Sequence, residues 1–402
     1  MNNIKLDFPI LDKKIRDKAI TYLDSAASTQ KPKQVINSIS EFLENSYENV
    51  HRGMNSLSID ATDLYEKSRD VAKNFINSNS TNEIIFTRGA TDSINIIANS
   101  LAEHLKEGDK IVVTELEHHS NYLPWMNLCK KLGLELKIIP ISKDGILSED
   151  DIINNCDDST KVLSLTHMSN VTGQILDIKK IKKSINKDTY VAVDGCQSIA
   201  HLKIDVKDLD CDFYSFSSHK LYGPSGIGIM YGKEDILNKL NPPTLGGGMI
   251  NEVSSNDFSY AMLPNKFEPG TPSIEAAIGF KTAMEYLTNN NYQDYFLNEK
   301  KLRSTLIKAL REFKEVDIYG SNEDGNATSI VSFNIKNQNF NDIATFLDQY
   351  GIMIRGGHHC CQPFMKKLGI PGSCRVSFGI YNDLNDIDHF IDSLKKTLKL
   401  LQ

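Results

Sequence analysis

The chain has 402 residues, 40% apolar and 24% charged, the make-up of a globular protein whose core needs no disulfide or metal staple. At roughly 150 residues per domain, the length gives a prior of two to three domains. Lys+Arg 45 against Asp+Glu 52 leaves a net charge of −7; this disfavours sequence-independent nucleic-acid binding, which needs a basic excess on one face, and no stretch approaches the ~20 apolar residues of a membrane span.

The first 20 residues lack the continuous apolar run of a secretory signal and read as an N-terminal arm. From about residue 80, short apolar runs alternate with amphipathic stretches. NEIIFTRGA is a strand and turn, and TDSINIIANSLAEHL a helix. DKIVVTELEHH, LELKIIPIS and TKVLSLTHMS follow as strands, each with an amphipathic segment behind it, then TYVAVDGCQ as another strand, before CDFYSFSSHK and GIGIMYGK. Near-continuous apolar strands alternating with helices mark a mainly parallel sheet covered on both faces, which binds ligands beyond the carboxyl ends of its strands. NPPTLGGGMINE reads as a loop, and FEPGTPSIEAAIGFKTAMEYL as a turn running into a long helix. The remainder is helix, strand (TSIVSFNIK), helix, strand (GIMIRGG), polar loop, strand (CRVSFGIY) and helix. The expected division is a large domain over 21–270 and a small α+β domain over 271–402.

Polar residues cluster where the apolar strands stop. Asp194 ends TYVAVD; it either pairs with a cationic group of a ligand or caps the next segment. Ser217, Ser218, His219 and Lys220 end the following strand; a lysine there is either an ordinary exposed loop lysine or one suited to Schiff-base chemistry with an aldehyde, and Asp194 at the neighbouring strand end favours the second. Arg88-Gly89-Ala90-Thr91 joins a strand to a helix, where small residues let backbone N–H groups and the helix dipole meet a phosphate, or where Thr91 is a plain N-cap. No G-x-x-x-x-G-K-[ST] and no well-placed G-x-G-x-x-G is present, so nucleotide readings lack their fingerprint.

The conjunction of a phosphate cup, a His after the next strand, Asp-x-x-Gln and Ser-x-His-Lys resembles the fold-type I pyridoxal phosphate enzymes. More narrowly it resembles the class V aminotransferase group and its SUF-type cysteine desulfurases. The strings NVHRGMNSLS, FTRGATDSIN, ELEHHSNYLPW, THMSNVTG, VDGCQ, FSSHKLYGPSGIG, FEPGTPS, RGGHHC and CRVSFGIYN carry the likeness over nearly the whole chain. The resemblance implies an α/β fold, with a mainly parallel seven-stranded sheet sandwiched by helices and a smaller C-terminal α+β domain. It implies pyridoxal 5′-phosphate held covalently by Lys220, with His118 stacked on its ring, Asp194 paired with the pyridinium nitrogen and Gln197 facing the phenolic oxygen. Ala90, Thr91, Ser217 and His219 would hold the phosphate, with Thr271 reaching across from a second subunit of a homodimer. Asn170 and Arg375 would hold the substrate carboxylate, with Arg355 at the same entrance.

Cys360 lies in RGGHHCC, a polar, Gly-hinged segment between two strands, where a thiol is accessible. The resemblance makes it the nucleophile that takes sulfur from L-cysteine as a persulfide and hands it to an acceptor protein of iron–sulfur cluster assembly. Arg355 and the two histidines are expected to favour its thiolate. Cys129, Cys156 and Cys211 read as small buried apolar residues. Two departures stand out. Cys361 occupies a place usually held by a small residue, and reads as inert, as a second sulfur carrier or as a resolving thiol. Ala90 replaces a frequent Thr, which removes one hydroxyl from the phosphate cup. A selenocysteine lyase of the same fold is the nearest rival. A metal module on His358-His359-Cys360-Cys361 is the other; adjacent residues point to opposite sides and cannot easily surround one zinc, so no metal is expected. Seven cysteines without framework spacing point to reduced thiols in a cytoplasmic protein.

Overall fold

Strands form where Val, Ile, Leu and Phe run together, and their order in space decides which loops meet. A computed structural model describes residues 4–320 and 326–401. Near the N-terminus β1 (Lys14–Ile15) and β2 (Lys18–Ala19) pair as a hairpin, and β3 (Thr21–Tyr22) follows. The next strands are β4 (Ile84–Thr87), β5 (Lys110–Thr114), β6 (Glu135–Ile139), β7 (Thr160–Thr166), β8 (Tyr190–Asp194), β9 (Phe213–Ser217) and β10 (Gly228–Gly232). They build one seven-stranded sheet in the order β4-β10-β9-β8-β7-β5-β6. Only β10 is antiparallel to its neighbours, so the carboxyl ends of β4, β5, β7, β8 and β9 share one edge.

All residues of β4, β5, β9 and β10 are buried, as strands covered on both faces require. Alternation divides them between two cores. Ile84 and Phe86 join a cluster that includes Tyr65 and Ile274, while Ile85 joins one with Ile94, Ile97 and Trp125. Helices Lys33–Asn45, Ser56–Phe75 and Ile274–Asn289 pack on one side, and Ala90–Leu101 and His119–Leu132 on the other.

The stretch expected to be a loop after residue 241 contains part of a hairpin, β11 (Ile250–Val253) with β12 (Phe258–Tyr260). Its residues are mostly exposed, so no apolar alternation marked it. Beyond the helices lie β13 (Val316–Tyr319), β14 (Ile330–Ile335), β15 (Ile352–Met353), β16 (Arg355–Gly357) and β17 (Ser373–Ser377). An antiparallel sheet runs β13-β14-β17-β16, backed by Leu302, Leu306, Ile343, Phe390 and Leu394. GIMIRGG, read as one strand, is two: β15 leaves this sheet and pairs in parallel with β3. The switch at Ile354 combines apolar β15 with the polar, cavity-facing β16, which a period-2 pattern cannot announce.

Residues 24–31 cross between the two main sheets. Asp24 bridges to Ser377, Ser25 Oγ lies 2.7 Å from Tyr381 Oη, and Ala26 N donates to Ser377 Oγ. On the other side Gln197 Nε2 donates to Ala26 O, and Thr29 N to His219 O. Residues 4–12, at the start of the segment read as an arm, form two 3-10 turns. They bury Phe8 against Tyr222, Tyr286 and Tyr381.

Candidate active site

The shared edge of the large sheet sets the site. β4 ends at Thr87, and Gly89 opens the helix Ala90–Leu101 with φ +146, a value L side chains rarely adopt. Gly89 has no side chain with which to cap this helix, and the positive end of the helix dipole meets the adjoining cavity, which Ala90 and Thr91 line. Ala90 N donates to Ser217 Oγ at 2.8 Å. Gly228 permits the close fit, since a Cβ there would lie 2.6 Å from Gly89 Cα. β8 ends at Asp194, which is buried; its Oδ1 accepts the Cys196 N–H at 2.9 Å, and no cation pairs with it among the described residues. β9 ends at Ser217 and runs into a 3-10 turn, Ser218–Lys220.

One cavity of about 190 Å³ is lined by Ala26, Ala27, Ala90, Thr91, His118, Ser120, Asn170, Asp194, Cys196, Ser217, His219, Lys220, Arg355, His359, Cys360 and Arg375. His118 caps the helix His119–Leu132, its Nδ1 accepting the Ser120 N–H at 3.1 Å. Burial, reinforced by Lys220, brings its pKa down to about 3, so a neutral ring faces the cavity. His219 is held at about 4, mainly by burial and then by Lys220 and Lys31.

Antiparallel pairing of β16 with β17 sets Arg355 opposite Arg375. Arg375 is buried; Nη1 donates to Asn170 O at 3.0 Å and Nη2 to Asp24 Oδ1 at 2.8 Å, leaving Nε without a partner. The Arg355 side chain makes no hydrogen bond or ion pair among the described residues. Two neighbouring guanidiniums, one of them unpartnered, make an anion site.

The thiol segment is tightly turned: His359 and Cys360 have φ +53 and +54, both left-handed. Asn170 Nδ2 donates to His359 O at 2.8 Å, and His119 N to Cys360 O at 2.7 Å. Cys360 is half-buried and lines the cavity. Cys361 is fully buried with its sulfur 3.6 Å from Glu115 O, and burial pushes its thiol far up; of the three readings open for it, the inert one fits. His359 does not help the thiolate as expected. Its Nε2 lies 3.0 Å from both Ser373 O and Ser373 Oγ, Nδ1 is buried without a partner, and burial with Arg375 lowers its pKa to about 2. A neutral imidazole carries no charge to offer.

Gln197 and Thr271 do not line the cavity. The Gln197 amide turns to Ala26 O, and Thr271 lies in a separate cleft with Arg88, Asp92 and Glu268. Sequence reasoning missed Asp24 and Ala26, for which only YLDSAA, the end of a very short strand, offered a signal. Among the described residues, no group of three or more His, Cys, Asp or Glu is arranged to hold a metal, and no helix is long and apolar enough to cross a membrane.

Comparison with known proteins decides the family. The aminotransferase class-V model matches residues 21–390. The chain belongs to the class-V aminotransferase family. Among its relatives, a probable cysteine desulfurase of Staphylococcus epidermidis is 44% identical over 97% of this chain and 95% of its own. The cysteine desulfurase CsdA of Escherichia coli superposes with a TM-score of 0.91 at 33% identity, covering 100% of this chain and 99% of that one. Apo cysteine desulfurase of Thermococcus onnurineus gives 0.93 at 36% identity, covering 99% and 98%.

The cofactor of a class-V aminotransferase is pyridoxal 5′-phosphate, and the cavity fits it. The helix terminus at Ala90 and Thr91, with Ser217 and His219 beside it, suits the phosphate. Asp194, a buried carboxylate without a cation, suits the protonated pyridine nitrogen. Lys220 makes no hydrogen bond or ion pair among the described residues, which leaves its amine free for an aldehyde.

Proposed function

We propose that this protein is a homodimeric, SUF-type L-cysteine desulfurase of the cytoplasm. It converts L-cysteine to L-alanine and passes the sulfur, through a Cys360 persulfide, to an acceptor protein for iron–sulfur cluster assembly. The observation that carries this reading is the presence of a half-buried thiol, Cys360, in the same cavity as Lys220, Asp194 and paired guanidiniums.

The bound cofactor would supply an electron sink that makes the substrate Cα–H acidic and its C–S bond breakable. Lys220 would carry it, His118 would lie against its ring as a neutral imidazole, and Asp194 would keep its ring nitrogen protonated. Ala90, Thr91, Ser217 and His219 would take its phosphate, and Thr271 of the partner subunit would complete that cup. Asn170, Arg355 and Arg375 would hold the substrate carboxylate. Lys220 would take the proton from Cα and return it there, while the proton given up by the Cys360 thiol balances the one that Cβ receives after the C–S bond breaks. Cys360 Sγ attacks the substrate sulfur, a new S–S bond forms as the C–S bond breaks, and the electron pair of that bond ends on the three-carbon fragment. L-alanine leaves, and Cys360 holds one additional sulfur.

The test is an absorbance spectrum of the purified protein before and after L-cysteine, with alanine and sulfide assayed under reductant. A near-visible band that shifts, with alanine and sulfide in equal yield, is the expected result. A shift without sulfide redirects the reading to selenocysteine or another amino acid, and absence of any band after reconstitution overturns it.

A further inference from the structure

The peptide joining His219 to Lys220 is gripped from outside the cavity by residues 28–31. The His219 carbonyl receives four donors: Thr29 N at 3.0 Å, Thr29 Oγ1 at 3.1 Å, Ser28 Oγ at 3.2 Å and Lys31 Nζ at 3.0 Å. Thr29 Oγ1 also accepts the Tyr222 N–H at 2.8 Å, which ties the chain on the far side of Lys220.

Lys31 is the member of this set that chain packing alone does not explain. Its other partner is Thr29 O at 2.6 Å, and no carboxylate pairs with it among the described residues. Burial without a counter-ion is unfavourable for an ammonium and brings this one down to about 8. Two neighbours gain from positive charge there. One is the His219 carbonyl; the other is the phosphate cup, of which the His219 ring, within reach of the field of Lys31, forms a wall.

We propose that Lys31 is a positioning residue for Lys220. Through the His219 carbonyl its ammonium fixes the turn that aims the Lys220 amine into the cavity, and its charge backs the phosphate end of the cofactor. This inference rests on the reading that Lys220 carries pyridoxal 5′-phosphate.

The experiment strips the cofactor from the parent and from Lys31→Met, Lys31→Gln and Lys31→Arg, then titrates each with pyridoxal 5′-phosphate while following the near-visible band. Thermal unfolding of the stripped proteins runs in parallel, with Lys220→Ala as control. Loss of a charge-assisted hydrogen bond should raise the dissociation constant about tenfold or more in Lys31→Met. Lys31→Gln, which keeps a donor but drops the charge, should weaken similarly, and Lys31→Arg should recover most of the affinity. Binding in Lys31→Met within about twofold of the parent overturns the proposal, as does equal weakening in Lys31→Gln and Lys31→Arg at matched melting temperature. That second comparison stands even where Lys31→Met folds poorly. A parent-like band in Lys220→Ala overturns the reading of Lys220 instead, whatever the Lys31 variants do.

Discussion

The His119 N–H donates to the Cys360 carbonyl at 2.7 Å, so the segment bearing the thiol is tied to the helix that begins beside His118. With Asn170 Nδ2 on His359 O, the segment is held at consecutive residues. On the proposed function, a thiol held in this way would serve the cavity it lines, and an acceptor would have to come to it.

The two adjacent cysteines should separate cleanly. Iodoacetamide should modify Cys360 well before buried Cys361, read by peptide mass spectrometry. Cys360→Ala should keep the cofactor band while sulfide release falls by at least about a hundredfold. Cys361→Ala should stay close to the parent in turnover and lose about 1 kcal/mol of stability. The reverse pattern would make Cys361 the nucleophile.

Asp24 neutralises a buried guanidinium. In Asp24→Ala, Arg375 keeps its bond to Asn170 O but loses its ion pair. An uncompensated buried charge should cost about 3 kcal/mol in urea unfolding, and KM for L-cysteine should rise as Arg375 loses its orientation. Unchanged stability would mean that solvent reaches the pair.

Gly228 should tolerate no side chain. An added Cβ would sit 2.6 Å from both Gly89 Cα and Phe216 O, backbone atoms that cannot turn aside. Gly228→Ala should therefore cost roughly 2 kcal/mol and weaken pyridoxal 5′-phosphate binding by displacing Gly89. Parent-like affinity in a titration of the stripped variant would refute this.

Acid should destabilise the stripped protein well above the carboxylate range. His118, His167, His219 and His359 have folded-state pKa values of about 3, 4, 4 and 2, each lowered first by burial. Each stays neutral when folded but takes up a proton when unfolded below about 6.5. Their contribution is thus present above that pH and lost as pH falls. Glu117, pushed up to about 8 by burial, works in the opposite sense; its contribution is complete below the ordinary carboxylate pKa and is lost as pH rises through about 8. The balance is roughly two to three protons, or about 3 to 4 kcal/mol per pH unit near pH 5.5, His219 counting only in part because it is less deeply buried. Urea midpoints from pH 7 to 5.5 measure it, and His118→Asn should reduce the slope by about one proton.

Local pattern made much of this readable. The apolar runs ending at Thr87, Thr166, Asp194 and Ser217 announced strands and the edge where ligands bind, because a strand buried on both faces leaves a continuous apolar signature. What stayed hidden depends on partners far away in the chain. Nothing near Asp24 says that it will meet Arg375, nothing in HHCC says which thiol faces the core, and an exposed hairpin such as β11–β12 carries no alternation. Ile354 is similar, since the change of sheet there follows from β3 lying alongside β15.

The crossing made by residues 24–31 has a consequence for biosynthesis. These residues leave the ribosome about 350 residues ahead of Arg375, Ser377 and Tyr381, with which they bond. The sheet β4–β10 can form during synthesis, because its members lie within the first 232 residues. The segment that grips the Lys220 turn and neutralises Arg375 closes only once β17 has emerged. A nascent chain stalled between β10 and β17 therefore has its sheet but an open cavity, whose wall is completed only when β17 pairs with β14 and β16.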